Sequence, residues 1–310
     1  MTDFLLNGAR QGKTEAFEYR MCGETFVLSF KRPALVVSWA ILNGGFRPQI
    51  AHIINHHIEA NPSPPGMPPA KTLRQVVSRL GLKGTVVGML TRADVSHFAL
   101  ARACDRDLLA YAITTAGCGN LACVGEPGNY IERETQAICV GTINMIVVTN
   151  YRFVHEAMLE AIEVVTEAKV KAMYEFGLRS KANGESATGT GTDCVGVAVG
   201  SDRRYHLCGK HTKRGELIGR VSLESIRTAQ VLSAGGILSS VLGLAGKPWT
   251  HSSPQDQATS GLEMIEAVRK DRVSVIDDRL IVHPRPRVVE GLEQISGLIN
   301  RFATEPARAE

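Results

Sequence analysis

Aromatic side chains are scarce in this chain. Phe, Trp and Tyr together make up 5% of its 310 residues, so a core has to be filled chiefly by Val, Ile, Leu and Ala. Charge of one sign is also in short supply. Lys and Arg number 35 against 31 Asp and Glu, and the surplus of +4 gathers into no basic block. That excludes the electrostatic footprint of a nucleic-acid-binding protein. Long hydrophobic runs are missing too. The longest, near 137–148 and 235–244, are interrupted by Gly, Ser, Thr or Asn and fall short of the roughly 20 residues that a spanning helix needs. The first residues, Met1-Thr-Asp-Phe-Leu-Leu-Asn-Gly8, have neither a basic start nor a small-residue cleavage site, so no signal peptide is expected. Cysteines number seven, are dispersed, and form no CxxC. Zinc-ribbon and disulfide-framework readings fail on that count, and reduced thiols in a cytoplasmic protein are expected. What remains is an ordinary globular composition, 44% apolar and 21% charged with mean hydropathy −0.02. It excludes wholesale disorder and collagen-like repeats.

Glycine and proline punctuate the chain. Short β-branched or aromatic runs at Glu15–Cys22, Thr25–Phe30 and Ala34–Trp39 read as strands separated by Gly23 and Pro33. The spacing of Ile50, Ile53, Ile54 and Ile58 predicts a helix over 48–58. Five prolines between Pro62 and Pro69 make a stiff connector. A short helix is expected at Thr72–Leu80, a strand at Gly84–Leu90, a helix capped by Asp94 near His97–Cys104, and a strand at Leu108–Thr115. The run Ala137–Thr149 reads as a buried strand, Phe153–Leu178 as the clearest helix, Asp193–Val199 and Tyr205–Cys208 as strands, and Arg214–Val231 as a helix. Beyond the Gly/Ser-rich segment 235–253 come a helix near Ser260–Arg269, a strand-like Val273–Val282 and a helix near Val288–Phe302. Interleaved elements of this kind imply an α/β or α+β fold, a central mixed sheet flanked by helices. Residues 1–232 form the expected main domain and 233–310 a C-terminal extension.

Four segments carry candidate chemistry. In Ser186–Cys194, Gly189 and Gly191 allow converging backbone N–H groups that suit a phosphate or a developing oxyanion. Thr188, Thr190 and Thr192 add hydroxyls, and Asp193 stands at the loop exit as a candidate base. A tight turn with capping hydroxyls explains the same residues. In Cys208–Gly219, Lys210, His211 and Thr212 occupy a strand-to-helix connection, a frequent place for catalytic groups, and His211 is the histidine singled out first. Thr212 alternatively N-caps the helix, and Glu216 pairs with Arg220. Asn144, polar within the most apolar run, either orients an amide or pins backbone. Asn43 lies in the Gly-rich turn Ser38–Gly45, and His52 and His56 beyond it share a spacing that suits a metal only if a third ligand exists; no metal site is assigned.

The ordered set SWAILNGG (38–45), VGMLT (87–91), TTAGCGN (114–120), GTIN (141–144), EAKVK (167–171), ATGTGTD (187–193) and GKHTKRGELIG (209–219) resembles the adenosylcobinamide amidohydrolases, the CbiZ-type enzymes of corrinoid salvage. The similarity spans about 15–231. It implies hydrolysis of the amide that joins the aminopropanol arm to the corrin, yielding adenosylcobyric acid and 1-amino-2-propanol. The corrinoid is then substrate, no cofactor is needed, and a homodimer is a reasonable expectation. Amide hydrolysis requires an activated nucleophile, an oxyanion site and a proton for the leaving amine. Asp193 or His211 is the candidate base. The Gly189–Thr192 backbone with Asn144 is the candidate oxyanion site, Lys210 a candidate for charge neutralisation, and Thr192 or Cys194 a competing nucleophile. Two other classes stay open: a corrinoid-binding protein without hydrolysis, and an enzyme that uses the Thr/Gly loop for phosphate.

Overall fold

The structure, a computed structural model, describes residues 2–5, 10–58, 68–128, 142–200 and 203–241. The expected proline connector, except Pro68 and Pro69, the start of the 137–149 run, and everything expected beyond 241 lie outside the described residues. The elements in chain order are β1 (Thr2–Leu5), β2 (Gln11–Lys13), β3 (Phe17–Cys22), β4 (Thr25–Ser38), β5 (Gly45–His57), α1 (Pro69–Arg79), β6 (Thr85–Thr91), a 3-10 turn (Val95–His97), β7 (Ala99–Asp105) and β8 (Leu108–Ala116). They continue with β9 (Leu121–Ala122), β10 (Ile143–Thr149), β11 (Arg152–Phe153), α2 (His155–Glu175), β12 (Gly189–Thr190), β13 (Cys194–Val199), β14 (Arg204–Tyr205) and α3 (Lys213–Val241).

The fold is α+β, built on a mixed sheet that curls into a half-barrel. The strand order is β1-β7-β8-β10-β13-β4-β3-β2, with β5 pairing β4 and β6 pairing β5. Only β10–β13 and β5–β6 are parallel within this sheet. The β10-α2-β13 segment is a βαβ unit, the connection that parallel neighbours require. The spine is β4. Its whole length pairs with β5 on one edge, so β3 (along Thr25–Phe30) and β13 (along Leu35–Ser38) must follow one another on the other edge. The β4–β5 register shifts between Ser29 and Ala34, and Pro33 falls inside that irregular stretch. A proline has no N–H to give a ladder, and a bulge is where a strand tolerates one. The two strands expected at 25–30 and 34–39 are therefore one bent strand.

Alternation divides the core between the two faces. Met145 and Val147 of β10 and Val195, Val197 and Val199 of β13 meet Ala157, Met158, Ala161, Val165, Leu217, Ile218 and Val221 of α2 and α3. Ile146 and Val148 point the other way, into the curl, with Leu28, Ile53, Met89 and Ile113. Both faces of β10 are covered, which is why it reads as a continuous apolar run. One group of aromatics lies inside the curl and another, Tyr151 with Phe153, lies under the helices. Phe26 packs on Phe98 at 4.8 Å between centroids, and Phe17 meets Tyr111 edge-on at 5.2 Å. The helix α1 seals an outer patch with Leu73 and Val76 against Val86 and Leu90.

Two expected helices are strands. Residues 48–57 belong to β5, whose isoleucines are β-branched and whose backbone is claimed by β4 on one edge and β6 on the other. Asp94 does cap, with Oδ1 accepting from Ser96 N at 2.8 Å, but it caps only the 3-10 turn; the chain then enters β7. No helix among the described residues is long and apolar enough to cross a membrane.

Candidate active site

Parallel β10 and β13 begin at one rim of the sheet, where their antiparallel neighbours β8 and β4 end: Ala116 lies opposite Ile143, and Ser38 opposite Gly196. Four strand ends thus deliver the loops 117–120, 39–44 and 186–193 and residue Thr142 to one place. The short β12–β9 pair ties the threonine-glycine loop to the loop after β8.

Asp193 is the centre of this rim. Its Oδ1 accepts from Ile143 N at 3.0 Å and from Thr190 Oγ1 at 2.5 Å. Its Oδ2 accepts from Thr190 N at 3.1 Å and from the ammonium of Lys169 on α2. Lys169 and Asp193 expose 10% and 7% of their side chains, so the pair is essentially buried. Removing one partner of such a pair typically costs about 3–5 kcal/mol, because the other charge is stranded. Of the loop N–H groups expected to converge, that of Thr190 closes on the chain's own carboxylate. Neither Gly189 nor Gly191 has positive φ. Gly189 is needed for room instead: a Cβ there would overlap Asp193 Oδ2 and Lys169 Nζ. The Trp39 indole N–H donates to the Asp193 carbonyl at 2.6 Å and leaves the ring 49% exposed, with Ile41 exposed on the same loop.

A second set of polar groups adjoins the carboxylate. Gly117 N donates to Thr142 O at 3.0 Å, which links the loop after β8 to the entry of β10. The next residue, Cys118, donates its thiol to Gln230 Oε1 of α3 at 2.8 Å. Burial raises the Cys118 pKa above its ordinary value, and the Asp193 charge adds to the effect, so the group is a thiol at neutral pH. Gln230 is 6% exposed, yet its Nε2 has no partner among the described residues; the same holds for the hydroxyl of fully buried Thr142. Leaving such a group unsatisfied costs about 1–3 kcal/mol.

Asn144 lies one residue deeper, on the inner face. Its Nδ2 donates to Asn55 Oδ1 of β5 at 2.8 Å and to Leu90 O of β6 at 2.9 Å, and Asn55 donates to Thr115 Oγ1. This row joins the β5–β6 limb to β10 across the curl, so Asn144 pins backbone there. Thr192 is half-buried in the loop beside Asp193. Cys194 is buried in β13, and burial pushes its pKa up to about 12, which makes it a core thiol.

The 209–216 segment lies elsewhere. Lys210 binds Glu167 at 2.5 Å on the exposed face of α2. Glu167 and Lys169 are two residues apart, about 200° around a helix, so Lys210 and Asp193 occupy opposite sides of α2. His211, next to Lys210, is exposed. Thr212 caps α3: its hydroxyl accepts from Gly215 N at 3.0 Å and donates to Gly209 O. Glu216 pairs with Lys213 and Arg220 in solvent. Asn43 takes φ 55° and donates to Val86 O at 2.7 Å, which locks the β4–β5 turn.

His52 and His56 sit on a strand, about 13 Å apart along its axis at strand rise. They bond Ser29 and Thr25 respectively. No group of three or more His, Cys, Asp or Glu among the described residues is placed to hold a metal ion. Lys169, Trp39, Cys118 and Gln230 escaped the residue-level reading. Trp39 and Cys118 do fall in the glycine-containing segments 38–45 and 114–120, and Lys169 left a signal as a lysine inside the buried stripe Val165, Ala168, Ala172, Met173 of α2.

A family model described as adenosylcobinamide amidohydrolase matches residues 10–235. An uncharacterised protein of Methanocaldococcus jannaschii is 31% identical over 227 residues, covering 67% of this chain and 86% of that protein. The adenosylcobinamide amidohydrolase of Methanosarcina mazei is 30% identical over 157 residues, 51% of this chain and 66% of its own length. Among solved structures, a protein of Pyrococcus horikoshii aligns over 75% of this chain and 84% of its own, with a TM-score of 0.33 and 9% identity.

Proposed function

We propose a reaction from one premise: the chain belongs to the adenosylcobinamide amidohydrolase family. The reaction is hydrolysis of the aminopropanol amide of adenosylcobinamide to adenosylcobyric acid and 1-amino-2-propanol. The observation that carries it is the Thr190–Asp193–Lys169 chain at the rim. A hydroxyl bonded to a carboxylate that is itself oriented by a third group is the arrangement of an activated nucleophile.

In this reading Thr190 Oγ1 attacks the amide carbon while its proton passes to Asp193 Oδ1. Lys169 is the counter-ion of Asp193 and fixes its orientation. The C–N bond breaks as the proton moves on to the leaving amine, and water then hydrolyses the resulting ester. The exposed faces of Trp39 and Ile41 offer apolar surface to the corrin macrocycle. His211 and Lys210 have no part in this scheme, because α2 separates them from Asp193.

The purified full chain incubated with adenosylcobinamide should release both products, read by liquid chromatography with mass detection. Asp193→Asn and Thr190→Val should each lower turnover by at least ~10²-fold, the scale of acid–base groups. A non-hydrolytic corrinoid binder is the competing reading, favoured by the four donors that already satisfy Asp193. Tight binding without product would establish it.

A further inference from the structure

We propose that Gln230 of α3 supplies the side-chain donor, Nε2–H, that holds the carbonyl oxygen of the scissile carboxamide, and that Cys118 is the residue that positions it. The inference rests on the amidohydrolase reading and assigns a part of the site that reading leaves open: what faces the oxyanion.

Two backbone donors beside Asp193 are already engaged. Thr190 N and Ile143 N are both spent on the carboxylate. Asn144 spends its two amide hydrogens on Asn55 and Leu90 and keeps only an acceptor oxygen without a partner among the described residues. An acceptor repels a developing oxyanion. Gln230 has the opposite arrangement: its oxygen is engaged and its donor end is not.

The direction of the amide follows from Cys118. A buried thiol that stays protonated donates, so it takes the oxygen end of the amide and turns Nε2 away. The connection to the reacting groups is continuous. Cys118 follows Gly117, which bonds Thr142, whose neighbour Ile143 bonds Asp193. Thr142 brings a second buried, unpartnered hydroxyl to the same strand entry. A rim that keeps a buried amide donor unsatisfied in the free protein is preorganised for a neutral carbonyl acceptor whose charge grows in the transition state. That chemistry selects a secondary carboxamide over a carboxylic acid salt, since Asp193 stands close by.

The test uses steady-state kinetics of the full chain on adenosylcobinamide. Gln230→Met removes the donor at constant length, and Gln230→Glu keeps the acceptor for the Cys118 thiol while losing the donor. Both should lower kcat by ~10²–10³-fold, the scale of one lost oxyanion donor, with KM changed less than about threefold. Cys118→Ser, which retains a donor, should keep kcat within about threefold of wild type, and Cys118→Ala should lose roughly tenfold. Folded Gln230 variants, judged by unchanged thermal melting, that turn over at the wild-type rate would overturn the inference and leave the amidohydrolase reading intact. If the Gln230 variants do not fold, equal kcat values for Cys118→Ser and Cys118→Ala overturn it instead. Absence of product from the wild-type protein overturns both.

Discussion

The Lys169–Asp193 pair is the residue-scale feature on which the rim depends, because both charges are nearly out of water and each is the other's counter-ion. Lys169→Met should lower the stability measured by urea unfolding by about 3–5 kcal/mol. The double variant Lys169→Met with Asp193→Asn should regain most of that loss, since no charge is then stranded. A double variant no more stable than Lys169→Met would mean that the loss does not come from a stranded charge. Asp193 was legible as the polar exit of a glycine-rich loop. Lys169 was legible in principle, as a charge at a buried helical position. Gln230 was not: nothing in the spacing of α3 says which of its faces meets the strand ends, because that depends on how the sheet curls.

At the scale of elements, β5 shows where periodicity misleads. Ile50 and Ile53 pack inside the curl while Ile54, and Ile58 just past the strand end, pack in the patch under α1, so burial on both faces with a register shift between Ile50 and His52 imitates a helical spacing. The backbone partners that decide the matter, β4 and β6, are remote in sequence. The long helices were legible because their apolar stripes run for several turns. The start of α3 was legible as well, since Thr212 is a capping residue in front of a helical pattern. Thr212→Ala should cost about 1 kcal/mol of unfolding free energy, with a range of 0.5–2 for such caps, and leave kcat unchanged. A large loss of turnover with unchanged stability would return the 209–216 segment to the chemistry.

At the scale of the whole molecule, the curl is held by contacts that no local pattern contains. Asn144 and Asn55 join strands at opposite limbs, and the carboxylate of Glu15 reaches Arg102 and Tyr111. The same β5 limb sets a pH dependence. Burial lowers the pKa of His52 and His56 below the ordinary 6.5. The unfolded chain therefore binds more protons than the folded one once pH falls below about 6.5, and stability decreases with acidification. The urea midpoint should drop between pH 7.5 and pH 5.5, and by less in the His52→Gln, His56→Gln double variant. An identical drop in the variant would assign the effect to other groups. The mixed sheet with flanking helices was legible from interleaved elements. Its bending was not, because it arises from one spine strand shared by three neighbours.

The rim is assembled from far-apart positions: Trp39 bonds Asp193 across 154 residues and Cys118 bonds Gln230 across 112. Contacts of such separation form late, since chain entropy opposes them until most of the fold is in place. During synthesis, a nascent chain that has emerged to residue 200 already holds Trp39, Lys169 and Asp193, yet it lacks the amide that α3 brings. The last described helix to leave the ribosome is thus the one that carries Gln230, the donor proposed for the scissile carbonyl.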